Sequence, residues 1–267
     1  MGLKTKNKGN EAKKENIYNR SKIMEENIKL LFKRFEEIKK MGYIKGVNNS
    51  LAAMGMTLEK MMGANAGGFQ IPDFYGIELK TRRSYSQSDI TLFSATPDGI
   101  FQIERIKDRY GYADKDIKKA KVFKGNVYCN RYNSIGKKFL FKLDIDYKEE
   151  RIYLEVYDKN LKLIDKESYW SFKDLEEILY RKLQYLALID VWPSKRKGEM
   201  YYCYYRMRLF KLKDFERFIS LINDGIISIL INIGVYKTEK RYGQTYNHGC
   251  AFRINEKKLV FLFSRTG

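Results

Sequence analysis

From Ser21 to Met41 the apolar residues Ile23, Ile28, Leu31, Phe32, Phe35 and Ile38 recur at helical spacing, with Lys and Glu on the other face. That spacing predicts an amphipathic scaffold helix. A second helix is expected from an Asn49 or Ser50 N-cap through Leu51, Met54, Leu58 and Met62, ending at the glycines of GANAGG. The segment IPDFYGIELKTRR follows at once and reads as a short hairpin, and DITLFSATP as another strand. ERIKDRYGY reads as a helix or its end. VFKGNVYCN, KKFLFKLDID and RIYLEVYD read as strands with turns between them, and FKDLEEILYRKL as a helix. LQYLALIDVW and EMYYCYYRMRLF are strongly β, KLKDFERFISLINDG is an amphipathic helix, and IISILINIGVYK, HGCAFRI and LVFLF read as closing strands. The tyrosines 201, 202, 204 and 205 alternate along one of these strands, as a core face and an exposed face would; base stacking is the other reading. No internal repeat is present.

This order implies a polar, basic, flexible tail over residues 1–20, a first lobe over 21–130 and a β-rich second lobe over 131–267, with an approximate boundary and room for interleaving. No Pro/Ser-rich linker separates the lobes, so a shared interface is expected.

The hairpin carries the most specific chemistry. Side chains alternate across a strand, so Glu78 and Lys80 project on one face while Ile77 and Leu79 point into a core. Pro72 and Gly76 bracket Asp73, Phe74 and Tyr75, so a tight turn can return the Asp73 carboxylate toward Glu78. Two carboxylates are what the protein usually contributes to Mg²⁺, with water and phosphate oxygens completing the octahedron. Lys80 is then placed to orient a water or to neutralise a phosphate. The competing reading is a surface hairpin with an ion pair, because Glu-x-Lys recurs at Glu11/Lys13, Glu37/Lys39 and Glu256/Lys258. None of those copies has a Pro-Asp-Phe arm upstream.

Composition favours a polyanion. Lys and Arg total 52 against 33 Asp and Glu, a formal charge of +19, in a chain of 267 residues that is 44% hydrophobic and 15% aromatic. Such a body is folded and basic, and nucleic acid is the expected partner; a lysine-rich compositional bias is the alternative. No apolar run approaches the roughly 20 residues of a membrane span, and the start lacks a secretory apolar region, so a cytoplasmic protein with no membrane partner is expected. Cys129, Cys203 and Cys250 are widely spaced without a CxxC, and His248 is the single histidine, which excludes the usual zinc frameworks.

The succession GMTLEKMMGANAGGFQIPDFYGIELKTRR, TLFSATP and, far downstream, INIGVYK and YNHGCAFRI resembles the MvaI/BcnI family of type II restriction endonucleases, itself similar to the nicking endonuclease MutH. The resemblance implies an α/β (α+β) fold: a PD-(D/E)xK nuclease core with a mixed sheet flanked by helices, plus a β-rich DNA-recognition lobe, the two lobes around a DNA cleft. Asp73, Glu78 and Lys80 fall at the family's catalytic positions, with Asp73 and Glu78 as metal ligands. Glu59 matches a further acidic residue facing the active site, although its position one step past Leu58 reads otherwise as solvent-facing. His248 and Arg253 fall in the recognition lobe, where Arg253 can donate to guanine O6 and N7 and Gly249 can supply close approach or a bulge. A satisfied structural histidine is the other reading of His248. Arg82 and Arg83, leaving the catalytic strand, and Lys237 and Tyr246, near the recognition segment, are further candidates for DNA contact.

The implied function is Mg²⁺-dependent, sequence-specific hydrolysis of double-stranded DNA leaving 5′-phosphate ends, with Mn²⁺ as a substitute metal. The resemblance further implies a monomer that cuts one strand at a time and a cognate DNA methyltransferase that protects the host. Two alternatives stay open: a repair-type nicking endonuclease, and a non-catalytic basic nucleic-acid-binding protein.

Overall fold

The computed structural model describes residues 3–64, 72–98 and 103–266. In chain order the elements begin α1 (Leu3–Lys40), β1 (Tyr43–Lys45), α2 (Ala53–Met62), β2 (Glu78–Arg83), β3 (Ile90–Ser94), α3 (Ile103–Tyr110) and β4 (Tyr112–Ala113). There follow β5 (Lys121–Val127), β6 (Asn133–Ile135), β7 (Phe139–Asp146), β8 (Arg151–Tyr157), β9 (Leu163–Ser171) and α4 (Phe172–Leu183). The chain closes with β10 (Tyr185–Arg196), β11 (Glu199–Leu212), α5 (Phe215–Asn223), β12 (Ile227–Val235), β13 (Thr245–Ile254), α6 (Leu259–Leu262) and β14 (Phe263–Arg265). The fold is mixed α+β, and no described helix is long and apolar enough to cross a membrane.

Two compact units emerge: Met1–Ser86 with Gln184–Phe210 and Thr266–Gly267, and Gln87–Leu183 with Lys211–Arg265. The chain thus leaves the first unit near residue 87 and returns to it for β10 and β11. A single boundary near residue 130 is not where the units divide. The reason is strand pairing: β10 lies parallel to β2, with Leu186, Leu188 and Asp190 in register with Glu78, Lys80 and Arg82. Parallel neighbours need a long crossover, and here the intervening segment belongs to the second unit, together with Lys211–Arg265.

In the first unit, strands run in the order β1-β11-β10-β2. Leu31, Phe35 and Ile38 of α1 and Ala53, Leu58 and Met62 of α2 pack in one core with Leu79, Ala187, Ile189, Val191, Tyr202 and Tyr204. Of the expected helical stripe, Leu31, Phe35 and Ile38 are buried and Ile28 and Phe32 pack against the same core, whereas Ile23 is exposed. The helix itself starts earlier than expected, at Leu3, so the backbone of the supposed tail is helical. From Leu3 to Asn19 the sequence has five lysines and no proline, so no residue there forbids the helix from extending. At the other end Lys39 and Lys40 complement the helix dipole and Gly42, at φ +67°, turns the chain away. The tyrosines divide as alternation requires, Tyr202 and Tyr204 inward and Tyr205 stacked on Trp192 at 4.1 Å.

The second unit holds a sheet ordered β3-β13-β12-β5-β4 and another ordered β6-β7-β8-β9. Helix α4 occupies the segment predicted for it, burying Leu175, Leu179 and Leu183. Asp214 caps α5 by accepting from Arg217 N at 2.7 Å. Its core is aromatic: Phe252 stacks on Phe93 at 4.9 Å and lies near Phe218 and Trp170. LVFLF does not form the predicted strand. Leu259–Leu262 is a helical turn, and only Phe263–Arg265 is extended. A short apolar run carries no period that separates helix from strand.

Candidate active site

The hairpin closes through a pair of backbone bonds, Phe74 N to Ile77 O at 3.0 Å and Ile77 N to Phe74 O at 2.8 Å. Its two central residues, Tyr75 at φ +43° and Gly76 at φ +88°, have the positive φ values of a type I′ turn. Gly76 suits that conformation, whereas Tyr75 pays a steric cost there. Asn27 of α1 holds the turn by donating to Tyr75 O at 3.1 Å. One step out from the Phe74–Ile77 bridge, Asp73 and Glu78 stand opposite one another. The Asp73 Oδ2 accepts from Leu79 N at 2.9 Å, so its carboxylate sits against the peptide that joins Glu78 to Leu79.

Glu78 is 1% exposed, and its Oε1 accepts from Lys80 Nζ at 2.5 Å. The pair follows from the two-residue period of β2, which puts both side chains on one face. Glu59 reaches the same region from α2: Glu59, Lys80, Thr81 and Leu79 line a cleft of about 360 Å³ with Leu51, Met54 and Met56. Since β2 is the edge strand, side chains from both its faces line that cleft. Helix α2 lies beside β2 at Gly55, where a Cβ would stand at ordinary contact distance, 3.6 Å from Glu59 Oε1 and 3.7 Å from Thr81 Oγ1. Helix α2 is also tied down by Tyr204, whose hydroxyl donates to Met54 O at 2.8 Å. Burial pushes the Tyr204 phenol pKa well up, with Tyr202 and Glu59 adding to the rise. Glu59 is half-buried and lines the cleft that holds Lys80.

The donor set of Asp73 and Glu78 fits a hard divalent cation, which takes one or two carboxylates and fills the rest of its shell with water and phosphate oxygens. Among the described residues, no three His, Cys, Asp or Glu side chains form a cluster able to hold a metal.

Arg82 and Arg83 diverge. Arg83 is exposed, whereas Arg82 points with Glu78 and Lys80 and lies near the buried Asp190, its Nε 3.9 Å from Oδ1. Arg82 is thus held in an ion-pair cluster, not extended as a free surface charge. Arg206 and Arg208 join the same carboxylate. None of Asp190, Arg206 or Arg208 is singled out by sequence pattern, although one Asp within the apolar run LALIDVW is the signal that points to it.

In the second unit a β-bulge organises the remaining candidates. Ile231 pairs with Cys250 and Ile233 with Asn247, so His248 and Gly249 together oppose Asn232. Gly249 takes φ +79° and its N–H donates to Asn247 Oδ1 at 2.7 Å. The extra residue re-phases the strand. Tyr246 opposite Gly234, His248 at the bulge and Arg253 opposite Ser228 therefore share the face turned away from Cys250, Phe252 and Ile254. Gly234 leaves room for the Tyr246 ring, which lies 4.6 Å from His248. His248 is exposed, while Arg253 is half-buried and donates to Asp89 O at 2.9 Å. A cleft of about 350 Å³ on this face is lined by Lys124, Asn232, Gly234, Tyr246 and Lys237. Lys237 is ion-paired to Asp114 and Asp116, which raises its pKa chiefly through the Asp116 hydrogen bond.

A sequence model of the MvaI/BcnI restriction endonuclease family matches residues 32–263. Among solved structures, the complex of restriction endonuclease MvaI with its cognate DNA substrate matches at 31% identity and a TM-score of 0.82, covering 90% of this chain and 98% of that one. MvaI in the absence of DNA matches at 31% identity and a TM-score of 0.57, over 90% and 97%. No curated protein sequence matches the chain. Fold and likeness together define the class, a site-specific nuclease of the restriction-endonuclease type. More narrowly, the chain belongs to the MvaI/BcnI restriction endonuclease family.

Proposed function

We propose that the protein hydrolyses phosphodiester bonds of double-stranded DNA at a short recognition site, with Mg²⁺ as the metal, leaving 5′-phosphate and 3′-hydroxyl ends. The observation that carries this reading is the convergence of Asp73, Glu78 and Lys80 on the hairpin and first turns of β2 in a chain of this family. Restriction endonucleases generally use a divalent metal, and Asp73 and Glu78 are the residues that would hold it here. When bound, the ion lowers the pKa of a water and neutralises charge on the phosphate. Lys80, held by Glu78, orients the attacking water and stabilises the charge that develops on phosphorus. Glu59 faces the same cleft and serves to orient Lys80 and its water. The Arg253 and His248 face reads bases in the major groove, with Tyr246 setting the His248 ring. MvaI is described with cognate DNA, which supports duplex DNA as the substrate. A monomer and a protecting methyltransferase with the same site complete the reading.

The test is digestion of unmodified genomic DNA by the purified protein, with sequencing of the fragment ends. Fragments sharing one end sequence and bearing 5′-phosphates are expected; intact DNA, or random ends, would contradict it.

A further inference from the structure

Asp190 sits in an otherwise apolar strand and is 1% exposed, so its charge has to be met by cations. Three guanidiniums converge on it. Arg206 Nε lies 2.6 Å from Oδ2, Arg208 Nη2 donates to both carboxylate oxygens at 3.1 Å, and Arg82 Nε lies 3.9 Å from Oδ1. One guanidinium in bidentate contact meets a carboxylate's charge, and here three guanidiniums gather on one carboxylate. Arg82 and Arg208 are mostly buried, at 14% and 16% exposure, which makes their mutual repulsion costly. The Arg208 pKa is lowered chiefly by burial, with Arg206 and Arg82 lowering it further against the pull of Asp190. An anion arriving at this cluster relieves that repulsion, and Arg206, 56% exposed, opens it to solvent. Planar, weakly hydrated guanidiniums match the bidentate geometry of a phosphate.

Its position selects the phosphate. Arg82 follows Lys80 by two residues on the same face of β2, about 6.6 Å along the strand. Asp190 stands beside Arg82 in the parallel ladder, as Leu188 does beside Lys80. We infer that Arg82, Arg206 and Arg208, fixed by Asp190, form a binding site for a DNA backbone phosphate next to the one that is cut. This rests on the nuclease reading of Lys80, and it assigns Asp190 as a positioning residue.

Arg206 is the variant of choice because it is exposed and its loss leaves Arg208 and Arg82 on Asp190. Binding of a short duplex DNA is measured without metal across a range of salt concentrations, for the unaltered protein, Arg206→Ala and Arg206→Lys. Arg206→Ala is expected to bind several-fold more weakly and to lower the slope of log K against log salt by about 0.9, one phosphate's worth. Arg206→Lys is expected to keep most of that slope, because the charge remains. Unchanged affinity and slope in Arg206→Ala would overturn the site. Cleavage by the unaltered protein is assayed separately: cleavage with an unchanged slope removes the phosphate site alone. A changed slope without any cleavage removes the nuclease reading and leaves phosphate binding standing.

Discussion

Asp73 accepts a hydrogen bond from the backbone N–H of Leu79 at 2.9 Å, across a two-residue turn, so one carboxylate both fixes the hairpin and stands opposite Glu78. The two roles separate by mutation. Asp73→Asn keeps an acceptor for Leu79 N but loses the charge, and is expected to cut DNA at least about 10²-fold more slowly while staying within about 0.5 kcal/mol of the parent in stability. Asp73→Ala loses both and is expected to cost about a further 1 kcal/mol. Urea denaturation and single-turnover cleavage measure the two effects.

The turn itself governs where that carboxylate points. At φ +88° Gly76 holds a backbone conformation that strains an alanine, and the flexible end of Met24, its Cε 3.0 Å from where a Cβ would stand, would have to give way. Gly76→Ala is expected to destabilise the protein by about 1–2 kcal/mol and to lower cleavage with it. A variant of unchanged stability and activity would show that the turn does not position Asp73.

Arg253 and His248 share a face because Gly249 inserts one residue into β13. Arg253→Ala is expected to cost about 1–3 kcal/mol in binding at the recognition site and to relax preference at one base pair. Deleting Gly249 is expected to shift His248 out of phase with Arg253 and abolish site preference while leaving salt-sensitive binding to any duplex. Selection of bound sequences from a random pool distinguishes these outcomes.

Tyr110 supplies a pH-dependent term in the second unit. Burial first, and its hydrogen bond to Asp165 at 2.5 Å second, push the phenol up to about 12. The folded pKa is raised, so the contribution is full below the unfolded value of about 10 and is lost as pH rises toward 12. Two pKa units correspond to a loss of about 2–3 kcal/mol over that window. Denaturation of the parent and of Tyr110→Phe at pH 9 and above is expected to show a shallower decline in the variant; parallel curves would contradict it.

Local structure was legible wherever one period ran long enough. The stripe through Leu31, Phe35 and Ile38 and the helix Phe172–Leu183 are read directly from spacing, and Pro72, Asp73 and Gly76 announce the hairpin. What spacing cannot convey is pairing between distant segments. The parallel ladder of β10 on β2 brings Asp190 to Arg82 from far along the chain, and it is that ladder which divides the units differently from a boundary near residue 130. The bulge at Gly249 was half visible: a glycine in a strand suggests one, but only the register with β12 tells which side chains it aligns.

The most direct test of the hairpin as the catalytic centre is cleavage by Lys80→Ala, whose side chain lies 2.5 Å from Glu78 Oε1. Loss of Lys80 leaves the buried Glu78 charge short of a cation, so thermal unfolding is followed in parallel to establish that the variant is folded at the assay temperature. With Mg²⁺ and saturating protein, cleavage in a single turnover is expected to fall by about 10²-fold or more, while metal-free affinity for the same DNA stays within about twofold. Cleavage at the parental rate by folded Lys80→Ala would contradict the account.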